Sequence, residues 1–222
     1  MLVNIFMLVN MISEQNRKHR HNSEVRSKIL KGAAALFREQ GYEAVSIDAV
    51  MAKADLTRGA FYAHFKTKDA LFEEVVRREH PLLKMLENRS GPTSRDLAEQ
   101  ALRIMADYLR PEHLNTIRVG CSLAALSQDT AHRGEPAREG FEAAHDAILA
   151  ELAREQDTPP DEPRLIAALT LAVGSVQLAA ATLSEDAQSR ILNAGARGVL
   201  SSLETLFGVR HPGPDPFLRG LT

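Results

Sequence analysis

SIDAVMAKADLTRGAFYAHFKTK, residues 46–68, decides how this chain is read. Ile47, Val50, Met51 and Ala54 recur at helical spacing, and Ser46 stands before them as a hydroxyl cap, so the sequence predicts a short helix starting there. A second follows almost at once. Thr57 caps it, Arg58 and Gly59 open it, and Leu56, Phe61 and Phe65 gather apolar groups on one face. Thr57, Arg58, Tyr62, His64 and Lys66 are left on or beside the other. Two helices joined by so tight a turn, with such side chains outward from the second, form what a helix-turn-helix reader of DNA needs.

Outward on the N-terminal side, Ser23 and Glu24 predict the start of a helix running to Gln40, with Gly41 as its C-terminal cap. Ile29, Ala33, Leu36 and Phe37 form its buried stripe, which packs over the two short helices to make a three-helix module. Tyr42 reads either as core or as a phosphate donor. On the C-terminal side, Thr67 caps a further helix, with Asp69 in its first turn and Leu71, Phe72, Val75 and Val76 apolar. This linking helix, residues 68–80, is kinked or interrupted by Pro81 and reads as a lever between two modules.

Here a family comes into view. GAFYAHFKTKDALF (residues 59–72) resembles the glycine, tyrosine, histidine-phenylalanine and lysine string that ends the DNA-binding domain of TetR/AcrR-type transcriptional regulators. RSKILKGAAALFREQGYEAVSIDAV (residues 26–50) is similar to the helix and entry that precede it there. The resemblance covers Glu24 to Val76, about a quarter of the chain, with two departures. Asp55 stands where the family usually has the turn glycine, and Met51 where it commonly has alanine. Aspartate tolerates positive φ better than most residues, so the turn can still be made, at some strain.

The resemblance implies a dimeric regulator of transcription. A recognition helix reads base edges from its N-terminal turn, which makes Thr57 and Arg58 the base-reading candidates; the arginine fork matches guanine O6 and N7. Gly59 allows close backbone approach. By match to the family motif, Tyr62, His64 and Lys68 contact phosphates, and Ser46 donates to another. The plainer reading of Tyr62 and His64 is rim packing.

Composition agrees with an all-α protein. The chain has 222 residues, 44% apolar and 25% charged, with no tryptophan and little of the alternation that marks strands. Residues 17–79 carry 13 Lys and Arg against nine Asp and Glu, a balance of +4, while 81–222 carry 14 against 19, a balance of −5. A basic module joined to an acidic one suits a polyanion partner for the first only. Cys121, the one cysteine, excludes an intrachain disulfide, so a cytoplasmic site is expected.

The apolar run MLVNIFMLVNMI, residues 1–12, is too short to span a bilayer and has no basic region ahead of it. Residues 1–22, including the basic arm Arg17, Lys18, His19, Arg20 and His21, are expected either to be disordered or to precede the true translation start. The arm reads as a solvated tail or a groove-following segment. Residues 23–68 form the DNA-binding domain, and 69–210 an effector-binding and dimerisation domain. Within the latter, a helix is expected through Leu97 to Tyr108, an apolar segment at 114–126, a polar loop at 128–136, a helix at 139–155 with Phe141 and His145 inward, and a linker at 157–163. The hairpin 164–207 closes it, ahead of a tail at 211–222. Its first helix is apolar almost all round and must be covered on several sides, which pairing with a second copy into a four-helix bundle provides.

By resemblance, a small-molecule effector enters this domain and releases a palindromic operator. Met85, Met105, Tyr108, Leu123, Phe141, His145 and Gln177 are candidates for an apolar cavity with polar anchors, ordinary core being the plainer reading. Cys121 adds a redox or electrophile-sensing candidate, against inert packing. Two other classes compete. An enzyme finds no phosphate loop, metal-ligand spacing, nucleophile elbow or paired-cysteine site, and no catalytic residue, metal or cofactor is expected. An architectural DNA-binding protein without effector would share the same head.

Overall fold

The computed structural model describes residues 2–114, 121–154 and 161–212, and every regular element among the described residues is helical. In chain order these are α1 (Leu2–Ala44), α2 (Ile47–Lys53), α3 (Arg58–Tyr62), α4 (Lys68–Arg78), α5 (Pro81–Glu87) and α6 (Ser94–Tyr108). After a 3₁₀ turn at Pro111–His113 come α7 (Ser122–Ala131), α8 (Glu135–Ala153), α9 (Glu162–Ala181) and α10 (Glu185–Phe207).

Each boundary of the head has a local cause. Ser46 Oγ accepts from Ala49 N at 3.1 Å, and Thr67 Oγ1 from Ala70 N at 3.0 Å, so α2 and α4 are capped by hydroxyls as their sequences predict. Gly41 breaks the helical run of α1 at φ 78°, ψ 165°, a conformation open to glycine and costly for other residues. Asp55 makes the turn between α2 and α3 at φ 57°, among the described residues the one non-glycine with positive φ. Ile29, Ala33, Phe37, Val50, Met51, Phe61, Phe65, Leu71, Phe72 and Val75 are buried together between α1, α2, α3 and α4. Phe37, Tyr42 and Phe72 meet ring to ring at 5.1–5.7 Å.

Several expected boundaries shift. The irregular segment before Ser23 is helix: α1 begins at Leu2. Proline is absent from this stretch, and extending an anchored helix by one turn costs far less than nucleating a new one. The lever is two pieces, since α4 ends at Arg78 and Pro81 opens α5 at its first turn, where proline needs no N–H partner. The polar stretch 128–136 is mostly helical, its loop confined to 132–134 between α7 and α8. Pro163 likewise sits in the first turn of α9, so that helix begins at Glu162 instead of Arg164. Residues 115–120 of the apolar run, 155–160 around the linker and 213–222 of the tail lie outside the described residues.

The body buries Leu86, Leu102, Met105, Ile148, Leu169, Leu192, Val199 and their neighbours in one core. Buried Arg89 ties it, donating to the carbonyls of Leu86 and Leu97 at 2.9 and 3.0 Å and to that of Glu151. Helices α9 and α10 form the expected hairpin. At their crossing a Cβ on Gly195 would come within 2.7 Å of Ser175 Cβ, so the glycine permits the close approach. Helix α9 is, among the described residues, the one long and apolar enough to cross a membrane, with a mean hydropathy of 1.6, yet only 39% of that window is buried.

Head and body meet through two seams. Gly140 of α8 lies against Arg77 and Glu73 of α4, and Leu126 and Ala137 of the body enter the head's core. In the second seam, Tyr42 N donates to Asp129 Oδ2 at 2.8 Å, Arg133 pairs with Glu43, and Arg38 reaches Ser122 Oγ at 3.3 Å and the Glu79 carbonyl at 3.4 Å.

Candidate nucleic-acid interface

The first turn of α3 carries the solvent-facing groups. Thr57 caps α3 by position only, its hydroxyl making no cap hydrogen bond, and it is exposed. Arg58 follows, also exposed, and its Nη1 donates to Asp48 Oδ2 at 2.8 Å. That pair joins the first turn of α2, which Ser46 caps, to the first turn of α3, and Ser46, Thr57, Arg58 and Gly59 are all exposed. A Cβ on Gly59 would meet nothing within 4 Å, so the fold itself does not require glycine there. Tyr62 stands one turn on, 57% exposed although aromatic, with only its inner edge against the buried Phe61 ring at 5.2 Å. Hydrogen bonding to Tyr62, with the Asp48 charge beside it, raises the pKa of Arg58 above its ordinary value.

Two expected phosphate contacts are placed differently. Lys68 Nζ donates to the carbonyls of Tyr42 and Val45, both at 2.8 Å, and lies 4.0 Å from the centre of the Tyr42 ring. Gly41 has ended the helical run of α1, leaving carbonyls there without intrahelical partners, and the lysine satisfies them. Its ammonium thus fastens α1 to α4 and keeps one donor for any other partner. His64 is half-buried, and desolvation together with the nearby Arg26 charge lowers its pKa, so it is neutral at pH 7. Tyr42, read as core or phosphate donor, is core: it is buried and its hydroxyl donates to Asp69 Oδ1 at 2.7 Å.

The sequence reading missed Asp48. Its signal was there, an acidic side chain in the first turn of α2 and an arginine that opens α3, but only the crossing of the two helices shows that they touch.

A cleft of about 210 Å³ lies in the body, lined by Leu123 of α7, Phe141 and His145 of α8, and Leu169, Thr170, Val173, Gly174 and Gln177 of α9. Phe141, His145, Gln177 and Leu123 are thus brought together as the sequence suggested. Met105, Tyr108 and Cys121 are not among the lining residues. All three are buried in the body's core: Met105 and Tyr108 lie on the apolar stripe of α6, which turns inward toward α10, and Cys121 caps α7 against Tyr108. Met85 is exposed. Tyr108 Oη donates to Cys121 Sγ at 2.8 Å, and burial raises the thiol's pKa, so the residue is protonated and shielded, the opposite of a reactive thiolate. Among the described residues no three His, Cys, Asp or Glu side chains gather as a metal site.

Comparison with known proteins matches residues 29–75 to the family described as bacterial regulatory proteins, tetR family. The head is that of a TetR-family regulator. The Transposon Tn10 TetC protein of Escherichia coli is 37% identical over 67 residues, 29% of this chain and 34% of that protein. The HTH-type transcriptional regulator AcrR of Shigella flexneri is 44% identical over 52 residues, 23% of this chain and 24% of that one. The chain therefore spans about a third or less of the length of these curated relatives, and the similarity is that of the head. Solved structures extend the likeness in fold to the body. The reduced form of Escherichia coli NemR matches with a TM-score of 0.62 at 14% identity, covering 85% of this chain and all of that one. SmeT, the repressor of the Stenotrophomonas maltophilia multidrug efflux pump SmeDEF, matches with a TM-score of 0.51 at 22% identity, covering 85% and 96%. This chain thus has a TetR-type head similar in sequence to those of known transcriptional regulators and a body whose likeness is one of fold.

Proposed function

We propose that this chain is a repressor of transcription that binds a palindromic operator as a homodimer and is released by a small molecule. The observation that carries the reading is the α3 surface. Thr57, Arg58 and Tyr62 are exposed around Gly59, where the protein leaves open space, and packing gives no reason for this set of side chains. Arg58 and Thr57 address base edges. Tyr62, the Ser46 hydroxyl, His64 as a neutral donor and the remaining Lys68 donor address phosphates.

Homodimerisation draws support from α9, whose Ile166, Leu171 and Leu178 stay exposed along an otherwise packed hairpin. A second copy would cover them in a four-helix bundle and set two heads on a twofold axis, as a palindrome demands. The body cleft is the effector site in this reading. At about 210 Å³ it lies below the range of drug-sized pockets, so it suits a small, largely apolar ligand with one or two polar groups facing His145 and Gln177. Gln177 Nε2 donates to Ala124 O and Ser127 Oγ on α7, and α7 and α8 both touch the head, so a ligand parting α9 from them bears on α4. Release requires that the ligand bind the DNA-incompetent arrangement more tightly, and DNA must weaken the ligand by the same factor.

A binding titration against the intergenic DNA beside the chain's own gene, with random competitor and at two salt concentrations, tests the reading. Saturable, competitor-resistant binding to a palindrome is expected. Binding that tracks salt alone, with no preferred site, would replace it with an architectural role.

A further inference from the structure

We infer that Asp48, in the first turn of α2, is a positioning residue that sets the base preference of this surface by holding the Arg58 guanidinium. The inference rests on the DNA-reading role given to Arg58 above. The two side chains meet at 2.8 Å with 62% and 61% of their surfaces in water, where an ion pair adds little to stability. A stability role therefore does not account for the pair.

Its place does. An unconstrained arginine on a surface samples many rotamers, and a fork that must present two N–H groups to guanine O6 and N7 loses that freedom on binding. Asp48 takes Nη1 from the side of α2, and Tyr62 stands on the side of α3, so the plane of the guanidinium is set before DNA arrives. The carboxylate also has a cost in the complex, since its charge opposes every phosphate nearby, whatever the sequence. Asp48 thus lowers affinity for all duplexes and raises the contrast between them. Removing it is expected to tighten random binding and to blur selection.

The test is selection of bound duplexes from a randomised pool by the full chain, with direct titration of random duplex alongside. R58A is expected to erase preference at one base pair of each half-site. D48N should relax that same base pair about fivefold to tenfold while strengthening random binding. In the double variant the preference should match R58A alone. D48E keeps the charge and moves it by one methylene, so it should leave random binding as it was and still relax the preference. Melting curves check that each variant is folded, and both side chains are exposed enough for that to hold. The proposal is overturned if D48N keeps full preference at the base pair that R58A erases, or if D48N lowers it further in the R58A background. R58A with every base preference intact would instead overturn the reading of Arg58, and this proposal with it.

Discussion

At the scale of single residues, the turn between α2 and α3 and the opening of α3 make opposite demands on glycine. Asp55 holds φ 57° without glycine's freedom, so Asp55→Gly removes backbone strain and adds unfolded-state entropy. The balance should be neutral or stabilising by up to about 1 kcal/mol; a clear fall in melting temperature would contradict the turn. Gly59 has ordinary helical surroundings and open space above it. Gly59→Ala should therefore raise stability by roughly 0.5–1 kcal/mol through helix propensity while weakening operator binding, because the methyl points where DNA backbone or base must come close. Calorimetry and a titration on the same sample separate the two effects. Lys68 is the mixed case. Lys68→Ala should weaken binding to all duplexes alike, but it also strips two carbonyls of a charged donor, and a stability loss of about 1.5–3 kcal/mol should accompany it.

At the scale of elements, the joint between α4 and α5 is where pH should act. His80 caps α5 by position, is buried, and its Nε2 faces the Val76 carbonyl; desolvation lowers its pKa below the ordinary 6.5, opposed by that hydrogen bond and by Glu79, with Arg38 and Lys84 adding to the fall. A histidine whose folded pKa is depressed binds fewer protons folded than unfolded, so stability is full above the unfolded value and declines as pH drops below about 6.5. Chemical denaturation at pH 7.5 and 5.5 should show this loss, and His80→Asn, which cannot titrate, should shrink it. Nothing in the sequence announced this joint beyond Pro81. The helices themselves were legible, because Ser46 and Thr67 cap by local chemistry and the 3.6-residue stripes of α1 and α4 need no partner to be recognised. What depends on helices crossing was not. Tyr42, Lys68, Asp48 and Cys121 each took its role from a residue between ten and 27 positions away. The cleft was half legible for the same reason: Phe141, His145 and Gln177 lie on neighbouring helix faces, whereas Met105 and Tyr108 were equally apolar candidates that happened to face the core. Prolines misled in one direction only, since Pro136 and Pro163 open helices that their composition suggested they would interrupt.

At the scale of the whole molecule, α9 keeps apolar side chains in water. Leu178 is 63% exposed on a helix whose opposite side packs Leu165, Leu169 and Val176 into the core, so the same helix meets two apolar environments or meets water on one of them. Burial of such a stripe at about 25 cal/mol per Å² is enough to drive association only if a matching surface is offered, and a twofold axis supplies one automatically, since the stripe then faces its own copy. Leu178→Glu tests this without harming the protomer. In a monomer the carboxylate would sit in water at little cost, while in a paired bundle it would meet its own copy's apolar face, or the copy's carboxylate, with desolvation unpaid by any partner. Sedimentation should therefore move from dimer to monomer at micromolar protein, with the melting transition still cooperative. Because two linked heads gain most of their operator affinity from binding both half-sites at once, the same substitution should cut affinity for the palindrome by roughly a hundredfold or more while sparing that for an isolated half-site. A Leu178→Glu chain that remains dimeric and keeps its palindrome would place the twofold contact elsewhere on the body and leave the exposed stripe to some other partner.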